Sequence, residues 1–251
     1  MKMKLKKTML AGLLGLALAP QAHADFKEAI QTLTPGQIQF VPNHYEADTL
    51  RDREGNKREV NVEKTGIEAT LKGKGKRWFG QVTLPYVTVT NGQIEKKGIG
   101  DIILEAGPHY HTGHWELLPT LRAKLPTGAF EAGKVNIGTG QTDLAAVLRG
   151  TGMYGPLTLD AGITYTHRFG TPADRVELRG NPGVGLGKYL RTGIEGVVTL
   201  GLDDARTARL GPGLVFAKDG WQVGGFVQKE FGVRQATEGW TYRFIFRVPI
   251  K

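Results

Sequence analysis

The sequence predicts an all-β protein, an antiparallel transmembrane β-barrel of about twelve strands, with ten strands also compatible with the pattern. Three observations lead to this fold class. The chain begins with an export signal, its short segments alternate between apolar and polar residues, and short and longer connections follow one another in turn. Barrels that span outer membranes show this combination.

The first residues form a predicted signal peptide. Four lysines precede an uncharged apolar stretch at residues 9–19, and Ala22-His23-Ala24 has the small-residue pattern of a cleavage site. The apolar stretch is too short to cross a bilayer as a helix. We therefore expect a signal peptide over 1–24, cleaved after Ala24, and export to the outer membrane.

A leader over residues 25–35 is expected to precede the barrel, which would occupy 36–251 as one domain. Asp25 is a suitable N-cap, and Phe26, Ala29 and Ile30 share one helical face, so a short helix is one prediction. An extended leader to the first strand is equally compatible. This leader is also the segment we would expect to contact a periplasmic partner.

Alternating segments recur along the rest of the chain. Leu157, Leu159 and Ile163 fall on one face of their segment, whereas Thr158 and Asp160 fall on the other. Because successive side chains of a strand point to opposite faces, each segment has one apolar and one polar side. About twelve such segments are centred near residues 40, 65, 83, 105, 121, 146, 162, 186, 198, 213, 226 and 244.

Connection lengths and aromatic positions favour a membrane barrel over a soluble β-sandwich, which would show the same alternation. Short connections are predicted near 73–76, 111–114, 191–193 and 217–220, and longer ones near 48–57, 90–97, 127–139 and 169–178. Aromatic residues cluster towards segment ends, as in interfacial girdles. These residues are Trp78, Phe79, Tyr110, Trp115, Tyr189, Trp221, Phe231 and Trp240.

Four prolines fall inside the predicted strands: Pro85, Pro108, Pro119 and Pro212. Each lacks the backbone N–H that a strand paired on both sides would use. We therefore expect these prolines at bulges or at the rims of the barrel.

Composition argues against several functional classes. The chain contains neither serine nor cysteine, so the two commonest nucleophiles for acyl transfer are missing, and no enzyme activity is expected. Removal of the four lysines of residues 1–24 lowers the formal net charge from +9 to +5, and no basic cluster with interleaved aromatics indicates nucleic-acid binding. We expect no disulfide, no metal and no cofactor.

Three short runs carry a family resemblance: Gly-Ile-Gly-Asp-Ile at 98–102, Lys-Leu-Pro-Thr-Gly at 124–128, and Gly-Thr-Gly-Gln-Thr-Asp-Leu at 138–144. In this order and spacing they resemble the outer-membrane proteins associated with the meta-pathway of phenol degradation, which are similar to transporters and porins. Gln141 departs from the family pattern, which has a small hydroxyl residue there. The motif residues are Gly100, Asp101, Lys124, Pro126, Thr127, Gly128, Gly138, Thr139, Gly140 and Asp143.

These runs also make sense as a hairpin. Pro126-Thr127-Gly128 has the composition of a turn, residues 129–137 follow as an outer loop, and Gly138 begins the returning strand. The motif is therefore architectural first, and the resemblance alone implies small, including aromatic, solutes.

Charges of both signs occupy the polar faces of the predicted strands. A narrow charged lumen for passive diffusion of small organic solutes is the leading hypothesis, with the outer-membrane bilayer as the other partner. The alternative is a structural or assembly barrel plugged by salt bridges, without transport. The candidate lumen residues are Asp101, Glu105, Arg122, Lys124, Asp143, Arg149, Asp160, Arg243 and Arg247.

Overall fold

The computed structural model describes residues 35–52, 54, 56–74, 77–91, 94–129, 136–169, 173–219, 221–234 and 236–250. The expected signal peptide at 1–24 and nearly all of the expected leader at 25–35 lie outside these ranges. Within them, no helix is long and apolar enough to cross a bilayer.

The described chain is all β, and its strands form one closed antiparallel wall. Three short strands follow one another along a single position in that wall: β4 (Ile94–Ile99), β5 (Ile102–Pro108) and β6 (Tyr110–Thr112). The fourteen strands therefore occupy twelve positions in the barrel. The strands are β1 (Pro35–Arg51), β2 (Lys57–Lys74), β3 (Trp78–Asn91), β4 (Ile94–Ile99), β5 (Ile102–Pro108), β6 (Tyr110–Thr112), β7 (Trp115–Leu125), β8 (Asp143–Tyr154), β9 (Leu157–Arg168), β10 (Arg175–Leu186), β11 (Leu190–Gly201), β12 (Arg206–Lys218), β13 (Trp221–Arg234) and β14 (Ala236–Pro249).

Closure occurs between the first and last strands. β1 pairs with β14 from Gln37↔Pro249 to Arg51↔Ala236, and on its other edge β1 pairs with β2. The β2–β3 ladder continues the wall, and the remaining neighbours are consecutive in sequence apart from the pieces β4–β6. The prediction of a twelve-stranded antiparallel barrel is therefore confirmed.

Connection lengths differ between the two ends of the barrel. At the end that holds the start of β1 and the end of β14, no connection is longer than three residues, whereas the opposite end holds both short connections and the longest one, 126–142. In outer-membrane barrels the short turns face the periplasm. We name the two ends the turn end and the loop end. The connections at the turn end are 75–77, 113–114, 155–156, 187–189 and 219–220.

One predicted connection, 191–193, was wrong, and three of the four longer ones, 48–57, 90–97 and 169–178, were too long because strands occupy part of each. Residues 90–97 belong mostly to β3 and β4, and 191–193 belong to β11, whose preceding turn is 187–189. The predicted loop 169–178 ends earlier, because β10 begins at Arg175. Asn181-Pro182 has the composition of a turn but lies inside β10, where the ladder to β11 skips from Gly180↔Gly196 to Gly183↔Gly193.

Prolines within the wall occupy such interruptions, as expected. Pro85 lies where the partner of β3 changes from β4 to β5, and Pro119 faces the break between β5 and β6, which Pro108 begins. Pro212 lies between the pairs Leu210↔Lys229 and Gly213↔Phe226, where the β12–β13 ladder is interrupted. Each proline therefore removes a donor where the ladder is already interrupted.

The outward face carries a continuous belt of exposed apolar side chains. Soluble proteins rarely expose a contiguous apolar patch larger than a few hundred Å², so a belt around the whole wall is suited to lipid contact. Members of this belt include Ile38, Phe40, Ile67, Leu71, Val82, Leu84, Leu104, Leu121, Leu144, Leu148, Leu159, Ile163, Leu178, Ile194, Val198, Leu210, Leu214, Val223, Val227, Phe244 and Phe246.

The belt predicts a depth-dependent response to charge along β3. Leu84 lies near the middle of the strand on the outward face, and Thr88 lies on the same face four residues closer to the loop end. We expect Leu84→Arg to lower the free energy of unfolding from lipid vesicles by about 2–4 kcal/mol and Thr88→Arg by about 0–1 kcal/mol. Equal losses for the two variants in a denaturant titration would contradict a lipid-facing belt.

Candidate functional site: the charged inner face

All nine candidate lumen residues lie on the inward face of the wall. Their positions alternate with the exposed belt along each strand, as Glu105 does with Leu104 and Arg122 does with Leu121. Asp101, Lys124 and Asp143 lie together at the loop end, where Lys124 Nζ is 3.9 Å from Asp101 and also pairs with Asp143. The other six lie deeper in the barrel, and the structure gathers four of them into two clusters around buried glutamates.

The first cluster surrounds Glu105 on β5, whose side chain is fully buried. Its carboxylate accepts hydrogen bonds from Arg122 Nε at 2.9 Å, Thr120 Oγ1 at 2.6 Å and Gln81 Nε2 at 3.0 Å, and a further bond from Arg149 Nη2. Four donors therefore occupy the lone pairs of one carboxylate. We name Glu105, Arg122 and Arg149 the Glu105 cluster.

The second cluster surrounds Glu195 on β11, which is also almost completely buried. Arg179 of β10 and Arg243 of β14 each place an Nη2 atom against its carboxylate. Arg243 reaches Glu195 across the two intervening strands, β12 and β13. We name Glu195, Arg179 and Arg243 the Glu195 cluster.

A glycine and a phenylalanine make the long reach of Arg243 geometrically feasible. Gly213 of β12 pairs with Phe226 of β13, and a Cβ on Gly213 would lie 2.3 Å from the phenyl ring. The ring therefore lies over the glycine, and the Arg243 guanidinium lies 4.7 Å from the ring centroid. This cation–π contact supports the arginine along its path to Glu195.

An aromatic ring also supports an arginine of the Glu105 cluster. Phe79 of β3 pairs with Gly107 of β5, where a Cβ would lie 2.2 Å from the backbone oxygen of Pro119. The Arg149 guanidinium lies 5.4 Å from the centroid of the Phe79 ring. Phe79 is buried on the inward face, so its assignment to the interfacial girdle was wrong.

Arginines, not glutamates, form the exposed surface of both clusters. The side chains of Glu105 and Glu195 are 0% and 1% exposed, whereas those of the four arginines are 23–46% exposed. Since these arginines project from the inward face of a closed wall, their exposed parts face the space inside the barrel. The surface they present to that space is cationic.

The remaining inner charges are distributed along the wall. Asp160 pairs with Arg191 at 2.8 Å, near the turn end. Lys72 Nζ and Arg247 Nη2 donate to the same neutral acceptor, Gln39 Oε1, at 2.8 and 2.7 Å. Within the described ranges, no carboxylate is recorded within 4 Å of either cation.

The three motif runs converge at the loop end around Asp101. Its carboxylate accepts hydrogen bonds from Gly128 N at 3.1 Å, Thr139 N at 2.8 Å and Thr139 Oγ1 at 2.7 Å. Thr127 Oγ1 donates to Gly100 O at 2.9 Å. These contacts fasten both ends of the connection 126–142 to the rim, and we name them the loop latch.

Two glycines of the latch have no space for a side chain. A Cβ on Gly128 would lie 2.7 Å from Gly138 Cα, and a Cβ on Gly138 would lie 2.5 Å from Asp101 Oδ1. Gly140 has a φ of 68°, in the left-handed region that favours glycine. The glycines of the motif therefore follow from close backbone approach, as its architectural interpretation predicts.

Sequence reasoning missed Arg179, the β10 partner of Glu195. Arg179 lies in the middle of β10, but the predicted loop 169–178 and a strand centred near 186 left it next to a connection. The alternation of Val176 and Leu178 with Arg175, Glu177 and Arg179 is the signal that would have identified the strand.

Two further features bear on chemistry without forming a site. Within the described part of the chain, no group of three or more His, Asp or Glu side chains is placed to hold a metal ion. A cavity of about 830 Å³ is lined mostly by outward residues, among them Leu104, Leu121 and Leu144, so it lies on the outer face.

Asp174 anchors the connection between β9 and β10. Its carboxylate accepts hydrogen bonds from Tyr165 Oη at 2.7 Å and Arg168 N at 3.1 Å, and it lies 3.0 Å from His167 Nδ1. Burial opposes ionisation of the carboxyl, but these hydrogen bonds outweigh that effect and hold the pKa of Asp174 below its usual value.

The fold is similar to those of solved outer-membrane channels and porins. The COG4313 outer membrane channel from Pseudomonas putida F1 has a TM-score of 0.77 and 15% identity, covering 86% of this chain and 96% of that chain. The KdgM porin has a TM-score of 0.54 and 12% identity, covering 85% and 99%. The NanC porin has a TM-score of 0.51 and 10% identity, covering 85% and 100%.

At these identities the likeness concerns the fold. No family model matches the chain, and no curated protein matches it in sequence. The structure therefore has the architecture of outer-membrane channel barrels.

The loop latch predicts a local effect of Asp101→Asn. The amide keeps one acceptor oxygen but cannot serve all three donors, which should cost about 1–3 kcal/mol. We expect faster tryptic cleavage at Lys134 in the folded barrel, with the heat-dependent gel mobility of the barrel retained. Asp48→Asn, at an exposed position of β1, is the matched control, and equal cleavage of the two variants would exclude the latch.

The Asp174 anchor predicts a pH-dependent contribution to stability. Because its folded pKa is lowered, the contribution is complete above the unfolded value of about 3.9 and is lost as the pH falls through the folded value. We expect Asp174→Asn to lower the melting temperature at pH 6, and we expect this difference from the wild type to shrink below about pH 4. A difference that stays constant down to pH 2 would contradict the assignment.

Proposed function

We propose that the protein is a passive channel of the outer membrane, exported by a signal peptide cleaved after Ala24, that admits small organic solutes, including aromatic ones. The observation that carries this proposal is the exposure of Arg122, Arg149, Arg179 and Arg243 on the inward face of a closed wall. A lumen filled by side chains would leave these groups inaccessible.

Glycines on the inward face support an open lumen. They shorten the projections from β9 to β13, where a filled barrel of this size would need bulky side chains. Twelve strands lie between the filled eight-stranded barrels and the open sixteen-stranded porins, which is consistent with a narrow passage. The inward glycines of this part of the wall include Gly162, Gly183, Gly193, Gly211 and Gly224.

The similarity to solved porins and the motif around Asp101 both support this function. One solved neighbour, with a TM-score of 0.53 and 11% identity, is the KdgM porin in complex with disordered oligogalacturonate. The motif around Asp101, Thr127 and Thr139 resembles that of the phenol meta-pathway family, which is the basis for including aromatic solutes. Transport without catalysis accords with the absence of serine and cysteine.

A plugged structural barrel is the competing proposal. The contacts of Arg149 and Arg243 with glutamates on other strands favour it, because such ion pairs brace the wall from within. In that case a periplasmic partner would engage the leader at 25–35.

Single-channel conductance of the refolded mature chain in a planar bilayer tests the channel directly. We expect discrete, stable conductance steps together with heat-dependent gel mobility. A barrel that shows the mobility change but no conductance would favour the plugged barrel, and a chain that does not insert would contradict both membrane functions.

A further inference from the structure

We propose that Arg122, Arg149, Arg179 and Arg243 form a binding site for small organic monoanions, carboxylates above all, and make the lumen prefer anions to cations. We name these four residues the guanidinium arc. The inference rests on the proposed channel and deepens it, since it assigns the charge class of the solute.

The charge balance of the arc is positive. Arg122 and Arg149 share the single carboxylate of Glu105, and Arg179 and Arg243 share that of Glu195. Four guanidiniums therefore face two carboxylates, and each cluster keeps one net positive charge.

Donor capacity remains after these ion pairs are counted. A guanidinium has five N–H donors, and the recorded bonds to Glu105 use Nε of Arg122 and Nη2 of Arg149. The exposed parts of the four arginines face the inside of the wall, whereas the glutamates lie behind them. A carboxylate entering the lumen would meet planar N–H groups, which bind such anions through two parallel hydrogen bonds.

The arc spans a large part of the circumference. Arg149 and Arg179 lie in one register row, with Gly162 between them, so their backbones are about 10 Å apart, two interstrand spacings. Arg122 and Arg243 lie five strand positions apart in a wall of twelve, and each converges with a second arginine of the arc on one carboxylate. A small solute passing through the lumen would therefore lie within reach of several guanidiniums.

Neighbouring groups reinforce the sign of the field. Arg247 adds a cation whose acceptor, Gln39, is neutral. Glu68 is the opposing carboxylate on the facing wall, whereas Asp160–Arg191 and Glu230–Arg209 are pairs without net charge. The sum over these groups favours anions in the passage.

The first test is the reversal potential in a potassium chloride gradient across a planar bilayer. We expect the wild type to prefer chloride and the double variant Arg149→Gln/Arg179→Gln to lose that preference several-fold. Lys188→Gln/Lys218→Gln is the matched control, because it removes the same charge from exposed positions at the turn end and should change little.

A variant of opposite sign guards against a nonspecific effect of substitution. Glu68→Gln removes the opposing carboxylate and should raise the chloride preference. A wild type without chloride preference, or a double variant with unchanged preference, would overturn the inference while the channel itself remained established by the conductance.

The second test measures binding without conduction. We expect benzoate to bind the folded barrel in detergent by calorimetry, with benzyl alcohol and benzylamine binding far more weakly and the arginine double variant losing benzoate. A barrel that conducts nothing but binds benzoate in this manner would contradict the channel and support the anion site. Absence of benzoate binding, or equal binding of all three compounds, would overturn the site.

Discussion

Closure of the sheet is the constraint on which the rest of the structure depends. A wall whose outward face is apolar all the way round leaves no water along its middle to satisfy free backbone groups, so no strand can remain an edge. β1 meets this requirement by pairing with β2 on one side and β14 on the other. Because the sheet is closed, every second side chain points into the enclosed interior of the barrel. A charged side chain there needs either a partner of opposite charge or water.

The inner clusters follow from that enclosure. A glutamate buried against the wall must be neutralised, and each of the two glutamates recruits a pair of arginines, some of them from strands that are not its neighbours. Such contacts need space along the wall, which glycines such as Gly213 provide, and support for long side chains, which the rings of Phe79 and Phe226 provide. The arginine–glutamate clusters and the inward glycines therefore depend on each other for packing.

Much of this fold could be predicted from the sequence because the alternation of apolar and polar residues within one strand already distinguishes its two faces. Alternation of residues such as Leu121 with Arg122 predicted twelve segments and their inward faces correctly. β10 was displaced towards the turn 187–189, because the predicted loop 169–178 covered its first four residues. The contact of Arg243 with Glu195 depends on the pairing registers of β11 with β12, β12 with β13 and β13 with β14. No local sequence pattern determines these three registers together. The motif runs were recognised, but their convergence on Asp101 appears only in three dimensions.

The sharing of each wall glutamate by two arginines has a kinetic consequence. A guanidinium that binds a passing anion through its spare N–H groups still divides its positive charge between that anion and Glu105 or Glu195, so the wall carries its own competitor for every anion. That competitor weakens binding and hastens release, because the arginine keeps its carboxylate partner when the anion leaves. A channel must bind its solute strongly enough to select it and weakly enough to release it. The glutamate beside each pair of guanidiniums sets this balance without any moving gate.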